Sequence, residues 1–193
     1  MNTNYFVKNN HIISEYILEN EYKVVALVEP NAQIIDKLKL KYGEPKIYLD
    51  KGALSCAVFS QEASSYGQVL DLVYPVCFVP FKDYNLYVIH PLPPMSQANF
   101  QLQKDFFQDL SILLDNDNKN SRKFVLVGDF NSSYYSSTFR KHFKQYFRTN
   151  NYSRYGLPIL TIPIDHGLAN FPIKTYLGRK FTSDHKYLEI ELN

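Results

Sequence analysis

The sequence predicts a layered α/β domain with much antiparallel strand pairing. Apolar runs short enough for strands alternate with segments of helical period along most of the chain. Four strand-like runs lie too close together for helical crossovers, which favours hairpins between them: 46–49, 54–59, 69–79 and 84–90. The chain closes with YLEIEL (187–192), whose alternation of period two is typical of a half-buried strand.

The remaining elements follow from the same periodicities. Helices are predicted at four places: 10–20, 31–41, 96–114 and 136–147. Further strands are predicted at five places: 24–29, 124–127, 160–164, 166–170 and 173–177. The polar stretch DNDNKN (115–120) predicts a turn between the long helix and the strand that follows it.

Composition excludes several classes of protein. The 193 residues suit one domain, and 45% hydrophobic with 21% charged residues is an ordinary globular balance. A net charge of +2 is too small to attract long nucleic acids through the overall field, so phosphate affinity would need a local patch or a metal. No run reaches the length of a membrane span and no signal peptide precedes the first helix, so we expect the cytoplasm.

Two cysteines, Cys56 and Cys77, fall inside apolar strand-like segments. Buried free thiols are the favoured interpretation, and a disulfide is the alternative.

The segment FVLVGDFN (124–131) combines a buried strand with a polar end. Gly128 permits backbone geometry that a side chain would forbid. Asp129 and Asn131 are two residues apart, so on extended chain they point to the same side. Such oxygen ligands suit a hard cation such as Mg²⁺, although a simple Asx turn would use the same residues.

Polar residues also stand at the ends of the other predicted strands, where a strand does not need them. Catalytic groups commonly lie on loops held by a rigid sheet. Any one of these residues alone would suit solvent, but the set indicates a shared site: Glu29, His90, Asp129, Asn131, Asp165, Asp184 and His185.

The segments VALVE, HPLPP, GDFN, IDH and SDH, in this order, resemble the endonuclease/exonuclease/phosphatase superfamily. The resemblance spans about residues 2 to 192, and GDFN followed by SDH is its most specific part. It implies one domain over 1–193 with a DNase I-like fold. That fold is a four-layer α/β sandwich of two packed mixed sheets flanked by helices, with the active site at one end.

The resemblance implies a role for each strand-end residue. Glu29 and Asp184 correspond to residues at the metal, although Val28 stands where the family usually has Gln. Asp129 and Asn131 correspond to the pair that positions the attacking water and holds the phosphate.

The histidines complete the implied set. His185 corresponds to the His on the scissile phosphate, and Asp165 to the Asp that orients it. His90 matches a His of DNase I-like and sphingomyelinase-like members, where abasic-site endonucleases have Tyr. We expect His90 to donate a proton to the leaving oxygen or hold the phosphate, which requires its ring within about 10 Å of Asp129 or His185. The alternative is a structural His bonded to backbone.

Asn2 stands 27 positions before Glu29 and matches a metal-site Asn that the family carries on a core strand. Almost nothing precedes it, so we expect a fold that lacks the first strand, through truncation, a misplaced start or loss. A membrane anchor is conceivable only in such upstream sequence. A lost central strand would leave buried backbone groups unpaired, at a cost of roughly 1–3 kcal/mol each.

Simpler roles suit several neighbouring residues. His166 is expected to pack beside the site, and His11 and His142 to lie on helix surfaces. Serines after GDFN are expected to cap the next helix: Ser132, Ser133, Ser136 and Ser137. Tyr134 and Tyr135 would be loop aromatics or line the substrate groove.

These observations predict an Mg²⁺- or Mn²⁺-dependent phosphoric ester hydrolase. A cation and hydrogen-bond donors would stabilise the transition state of a phosphodiester, from nucleic acid or a phospholipid head group. No P-loop motif is present to suggest nucleotide chemistry of that kind. The alternatives are a phosphomonoesterase and a catalytically impaired binding module. Nothing in the sequence indicates a protein partner, and we expect a monomer.

Overall fold

Three β-sheets carry the fold, which we describe from a computed structural model for residues 2–3, 11–148, 164–180 and 185–192. The helices are α1 (His11–Glu19), α2 (Ala32–Tyr42), α3 (Gln97–Lys119) and α4 (Ser137–Phe143), with a short 3-10 helix over Gly52–Leu54. The first strands are β1 (Val24–Val28), β2 (Ile47–Leu49), β3 (Cys56–Ser60), β4 (Gln68–Asp71), β5 (Pro75–Pro80) and β6 (Tyr84–Ile89). The later strands are β7 (Lys123–Asp129), β8 (Phe147–Arg148), β9 (Asp165–Ala169), β10 (Ile173–Lys180) and β11 (Lys186–Leu192).

Antiparallel pairing dominates the sheets. One sheet has the order β1-β3-β2, a second has the order β4-β5-β6-β7-β9-β8, and β10 pairs with β11. The exception is the β6–β7 pair, which is parallel because α3 connects the two strands. The hairpins predicted from closely spaced strands are present in β4-β5-β6.

The apolar clusters show four layers. Helices α1 and α2 pack on one face of the β1-β3-β2 sheet, with Ile13 and Leu38 beside Phe59. The other face packs on the six-stranded sheet, where Val58 meets Val79. Helices α3 and α4 cover the far side of that sheet, as their buried aromatic and aliphatic side chains share a cluster with its strands. The predicted four-layer sandwich is therefore confirmed.

Several element boundaries differ from the sequence prediction. Helix α3 runs to Lys119, so the turn predicted over 115–120 is wrong for most of that stretch. Its last turn is held to the sheet because the buried Asp117 carboxylate accepts hydrogen bonds from Asn85 and Tyr87. The run predicted at 69–79 is two strands, and the end of the helix predicted over 136–147 is strand β8. Of the strand predicted at 160–164, only residue 164 lies within the described ranges.

The two cysteines are joined in a disulfide between β3 and β5. The prediction of free thiols is therefore wrong. The strands belong to different sheets that face each other, and this packing brings the Cα atoms to 6.4 Å. A separation of 21 residues in sequence carries no sign of that approach.

The first described residues, Asn2 and Thr3, lie beside β1. Asn2 forms a parallel bridge with Val28, and the Thr3 amide donates to the Val28 carbonyl over 2.8 Å. On this side of β1, the bridge is the only strand pairing found within the described ranges. Across those same ranges, no helix has both the length and the apolar character needed to cross a membrane.

Candidate active site

Four strands end at the same edge of the sandwich and bring the predicted polar residues together. Ile89 pairs with Gly128, so His90 follows β6 beside the Asp129 end of β7. Asp165 opens β9 directly opposite Asp129. Glu29 follows β1 in the facing sheet, and Asn2 lies against it. The register within the six-stranded sheet and the packing of the facing sheet therefore decide the cluster.

Gly128 is required where β6 and β7 approach each other. Its φ is +144°, and a Cβ atom there would lie 2.0 Å from the Ile89 carbonyl oxygen. No side chain fits that space, because contacts below 3.0 Å do not occur for real Cβ atoms. The glycine predicted from the motif thus allows the strand to carry Asp129 to its position.

Two site residues adopt left-handed backbone conformations. Glu29 has φ +55° and Asn131 has φ +46°. Such a conformation costs about 1–2 kcal/mol for an ordinary residue, although Asn tolerates it better. Local hydrogen bonds stabilise both conformations. Thr3 Oγ1 donates to the Glu29 carbonyl over 2.7 Å, and the backbone amide of Asn131 donates to Asp129 Oδ1 over 2.8 Å.

Asp129 is the centre of the cluster. Its carboxylate is 2% exposed, and Oδ2 accepts a hydrogen bond from Asn2 Nδ2 over 3.2 Å. The same Oδ2 lies 3.6 Å from His90 Nε2 and 3.7 Å from His185 Nε2. Burial first, and then the nearby Asp165 carboxylate, raise the pKa of Asp129 to about 7, against the opposing effect of His185. A carboxylate with this pKa can exchange a proton near neutral pH.

His90 faces the same cleft and also binds backbone. Its Nδ1 donates to the Ala53 carbonyl, so the neutral ring presents Nε2 as an acceptor. Nε2 lies 3.4 Å from Glu29 Oε1 and 3.3 Å from Asn131 Nδ2. Burial lowers the pKa of His90, and the Glu29 carboxylate partly opposes this. Its ring lies well within reach of a phosphate shared with Asp129, and its catalytic role stays a prediction.

His185 and Asp165 form a dyad on the opposite side. His185 Nδ1 donates to Asp165 Oδ2 over 2.7 Å, which directs Nε2 toward Asp129. His185 retains 15% exposure of its side chain and Asp165 retains 23%, so solvent or substrate reaches the pair. Asp184, the remaining residue of the predicted set, lies outside the described residues.

Neighbouring polar residues serve the scaffold. His166 is 1% exposed, and its Nε2 donates to the Ser132 carbonyl over 2.9 Å. Its ring packs against Phe130 and Phe139, and burial lowers its pKa to about 4. Ser136 caps α4 by accepting a hydrogen bond from the Phe139 backbone amide, which confirms the prediction for this serine. Ser133 Oγ instead accepts from the Tyr135 backbone amide, and Ser132 Oγ lies 2.9 Å from Ser136 Oγ.

The two tyrosines of this loop differ. Tyr135 is exposed, while the Tyr134 ring stacks under the Arg148 guanidinium, 3.5 Å from its centroid.

A side chain of α3 that the sequence analysis did not identify stabilises the GDFN loop. Gln103 is 2% exposed, and its Nε2 donates to the carbonyls of Phe130 and Asn131 over 3.3 and 3.2 Å. It thereby ties the GDFN loop to the helix. The available signal was a polar residue at an apolar position, since Gln103 stands one helical turn before Phe106 and Phe107 on the buried face.

The donor set fits a divalent cation. One ligand atom from each of Asp129, Asp165 and His185 lies within 4.8 Å of the others. Glu29 Oε1 also approaches this centre, since Asn2 Nδ2 donates to it over 3.2 Å as it does to Asp129. Carboxylate and carbonyl oxygens, completed by waters, suit Mg²⁺ or Mn²⁺.

Comparison with known proteins gives a result for structure but none for sequence. No family model matches the chain, and no curated protein matches it. Among solved structures, a Neisseria 3′ phosphatase, NExo, bound to product DNA hairpin aligns with TM-score 0.75 and 13% identity, over 100% of this chain and 97% of that chain. Truncated Caenorhabditis elegans TDP2 aligns with TM-score 0.67 and 10% identity, over 97% and 93%.

A third similar structure is a mannosyl-6-phosphatase from Bacteroides thetaiotaomicron. It aligns with TM-score 0.63 and 13% identity, over 93% of this chain and 88% of that chain. The chain therefore has the DNase I-like fold of endonuclease/exonuclease/phosphatase proteins, which confirms the fold that the sequence motifs predicted.

Proposed function

We propose that the protein is a divalent-metal-dependent phosphoesterase that hydrolyses phosphodiesters by attack of water. One observation carries the proposal: a buried carboxylate, Asp129, lies between two histidines, one of which is oriented by a second carboxylate. Side chains suited to act as a general base, to bind phosphate and to hold a metal thus meet within one cleft. The similar solved structures support the class, since two of them are phosphatases by name.

Asp129 is the proposed general base. Its pKa of about 7 lets it take a proton from water near neutral pH. The Asn131 backbone amide donates to Asp129 Oδ1, so Asp129 Oδ2 is the oxygen that faces the cleft. Asn131 Nδ2 now donates to the Pro91 carbonyl over 2.9 Å and faces His90 Nε2, and a substrate oxygen would take over one of these hydrogen bonds.

The two histidines are proposed to bind the transferred phosphoryl group from opposite sides. Each directs Nε2 toward Asp129, and each Nε2 becomes a donor to phosphate only when the ring is protonated. Burial lowers the pKa of His90, and the Glu29 carboxylate opposes this, so an anionic substrate beside the ring would add to the effect of Glu29 and favour protonation. In that state, one histidine donates to a non-bridging oxygen and the other to the leaving oxygen.

A bound Mg²⁺ or Mn²⁺ would supply Lewis-acid stabilisation of the phosphoryl charge. Glu29 and Asn2 are the proposed holders on one side, with Asp184 as predicted from the resemblance. Asp129, Asp165 and His185 lie beside this position and keep the roles of base, orienting carboxylate and phosphate donor. Asn2 Nδ2 bridges the two sides, since it donates to both Glu29 and Asp129.

The substrate is proposed to be a phosphodiester of nucleic acid or of a phospholipid head group. The rival is a phosphomonoester, which the names of the two phosphatases among the similar structures favour. The two cases differ in the charge that the cleft must bind, because a monoester dianion carries one more negative charge than a diester.

The test is hydrolysis of bis-p-nitrophenyl phosphate and p-nitrophenyl phosphate, each with Mg²⁺, Mn²⁺ or EDTA. We expect metal-dependent cleavage of the diester, lost in Asp129→Asn and His185→Asn and kept in His11→Asn, an exposed control on α1. Activity that survives both site substitutions would overturn the proposal. Cleavage of the monoester alone would show that the substrate is a phosphomonoester. Absence of Mg²⁺ or Mn²⁺ binding by calorimetry would instead favour the alternative of a binding module without catalytic activity.

A further inference from the structure

The segment KGALS (51–55), here called the KGALS loop, contacts two residues of the candidate active site through its backbone. The Ser55 carbonyl accepts a hydrogen bond from the Glu29 backbone amide over 2.9 Å. The Ala53 carbonyl accepts from Nδ1 of His90. Because Glu29 follows β1 of the three-stranded sheet and His90 follows β6 of the six-stranded sheet, the loop binds one site residue of each sheet.

Hydrogen bonds within the KGALS loop fix the direction of its carbonyl groups. The amides of Leu54 and Ser55 donate to the carbonyls of Lys51 and Gly52 over 3.2 and 2.9 Å. Ser55 Oγ accepts from the Lys51 amide over 2.8 Å, and the Ser55 side chain is fully buried. Gly52 has φ +58°, in the left-handed region that favours glycine. The loop is therefore one compact 3-10 turn with a defined backbone conformation.

The disulfide holds this loop at its carboxyl end. Cys56 opens β3 directly after the loop and pairs with Val28, the residue before Glu29. Its partner Cys77 pairs with Val88 in β6, the strand that leads to the histidine bound by the loop. Apolar packing between the two sheets is non-directional, whereas the disulfide joins them covalently beside both strand ends.

The Ala53 carbonyl decides which nitrogen of the neutral His90 ring carries the proton. Nδ1 must keep its proton to donate to this carbonyl, which leaves Nε2 as an acceptor. Nε2 lies 3.4 Å from Glu29 Oε1 and 3.6 Å from Asp129 Oδ2, and these two carboxylates favour a proton on Nε2. The loop thus holds the ring in the tautomer that its carboxylate neighbours oppose.

We propose that the disulfide between β3 and β5 is a positioning crosslink for the active site. It holds the KGALS loop so that the Ala53 carbonyl fixes the tautomer and the orientation of His90. Cys56 is 3% exposed and Cys77 is 0% exposed, so the folded protein shields the bond from attack by thiols. The consequence for catalysis rests on the proposed phosphoesterase function, whereas the consequence for the His90 tautomer does not.

The first experiment reads the His90 tautomer by nitrogen NMR, above the ordinary His pKa of about 6.5. Comparison with His90→Gln assigns its signals among those of the five histidines. In the wild type we expect the proton on Nδ1, and in Cys56→Ala/Cys77→Ala we expect it to move largely to Nε2. An unchanged tautomer in the folded double variant would overturn the proposal. Two free thiols in wild-type protein that keeps the proton on Nδ1 would also overturn it.

Gly52→Ala tests the loop with the disulfide intact, which keeps the proposal testable if the double variant does not fold. A Cβ atom at Gly52 meets nothing within 4 Å, but φ +58° is strained for Ala, so the loop must turn and move the Ala53 carbonyl. Gly43→Ala is the matched control, with φ +73° and equally open space at the end of α2. Both should lower Tm by similar amounts, and only Gly52→Ala should shift the His90 tautomer. The wild-type tautomer in Gly52→Ala would overturn the role of the loop.

Hydrolysis of bis-p-nitrophenyl phosphate with Mg²⁺ is measured on the same proteins. The double variant and Gly52→Ala should lower kcat by about tenfold or more, because a misplacement of about 1 Å can cost about a hundredfold. Gly43→Ala should stay within about twofold of the wild type. Equal rates in all of these proteins would overturn the positioning role. A shifted tautomer in the variants, without hydrolysis by any form including the wild type, would sustain the crosslink and reject the phosphoesterase.

Discussion

Two buried aspartates at opposite ends of the six-stranded sheet differ in their neighbours. Asp117 lies near the start of β6, where Asn85 Nδ2 donates to both of its oxygens over 3.1 and 2.9 Å and Tyr87 donates over 2.8 Å. Asp129 lies where β7 ends, and its neighbours are other acids and two histidines. The Asp117 carboxylate accepts these hydrogen bonds from neutral side chains, whereas the Asp129 carboxylate has two histidines near its Oδ2 in addition to the neutral donors Asn2 and Asn131.

The difference separates a structural role from a chemical one. Neutral donors around Asp117 satisfy its charge and join the end of α3 to β6, as a buried carboxylate requires. Around Asp129, burial and the Asp165 carboxylate raise the pKa to about 7, and two neighbouring residues hold left-handed backbone conformations. Strained backbone and a perturbed pKa together are typical of a site whose groups are arranged for function and not for stability.

The largest expected effect comes from exchanging each aspartate for Asn. Asp129→Asn should lower kcat by about a thousandfold, within the range for loss of a general base. Asp117→Asn should leave kcat within about twofold but lower the free energy of unfolding by about 1–3 kcal/mol, since an amide facing the Asn85 amide leaves buried groups unpaired. Steady-state kinetics and urea unfolding of both variants measure this. Equal loss of activity in the Asp129 and Asp117 variants would contradict the assignment of a chemical role to one and a structural role to the other.

The next effect tests the backbone that carries Asp129. Gly128→Ala should destabilise the fold by more than about 4 kcal/mol, because Cβ would overlap the Ile89 carbonyl and force β6 and β7 apart. The matched control is Gly43→Ala at the end of α2, with φ +73° and nothing within 4 Å, which should cost about 1–2 kcal/mol. Chemical denaturation compares them, and similar costs would contradict the close approach of the two strands.

A third prediction concerns pH. Burial lowers the pKa of His166 to about 4 from an unfolded value of about 6.5, so its contribution is present above pH 6.5 and is lost as pH falls toward 4. The wild type should therefore lose about 2 kcal/mol more than His166→Gln between pH 7 and pH 5. Urea unfolding at the two pH values measures the difference, with His11→Gln as the exposed control. Parallel losses in wild type and His166→Gln would show that His166 is not held neutral.

The smallest stability change is expected at Asn131. Asn131→Gly should alter the free energy of unfolding by less than about 1 kcal/mol, because relief at φ +46° offsets the greater freedom of Gly in the unfolded chain. Activity should fall at least about tenfold, because the side-chain amide proposed to bind a substrate oxygen is removed. Asn85→Gly, in an extended strand and bonded to Asp117, should instead destabilise by about 1–3 kcal/mol with activity retained. A larger loss of unfolding free energy in Asn131→Gly than in Asn85→Gly would contradict the assigned difference between the two ends of the sheet.

Local patterns were sufficient for much of the fold and for the identity of the clustered residues. Helical and strand periods depend on near neighbours in sequence, so four helices, the hairpins and the polar strand ends could be predicted. Glu29, His90, Asp129, Asn131, Asp165 and His185 each follow or open a strand, and the structure brings all six to one edge. The need for Gly at 128 was also visible, because a glycine between a buried strand and a carboxylate is a local signal.

What the tertiary structure alone decided depends on register between distant segments. The Cys56–Cys77 disulfide needs β3 and β5 to face each other across two sheets. The last turn of α3 depends on Asp117 meeting Asn85 and Tyr87, and the GDFN loop depends on Gln103 reaching it from α3. Sequence by itself determined which side chains stand at strand ends, and only packing of whole layers decided their partners, because those contacts join residues that no local period relates.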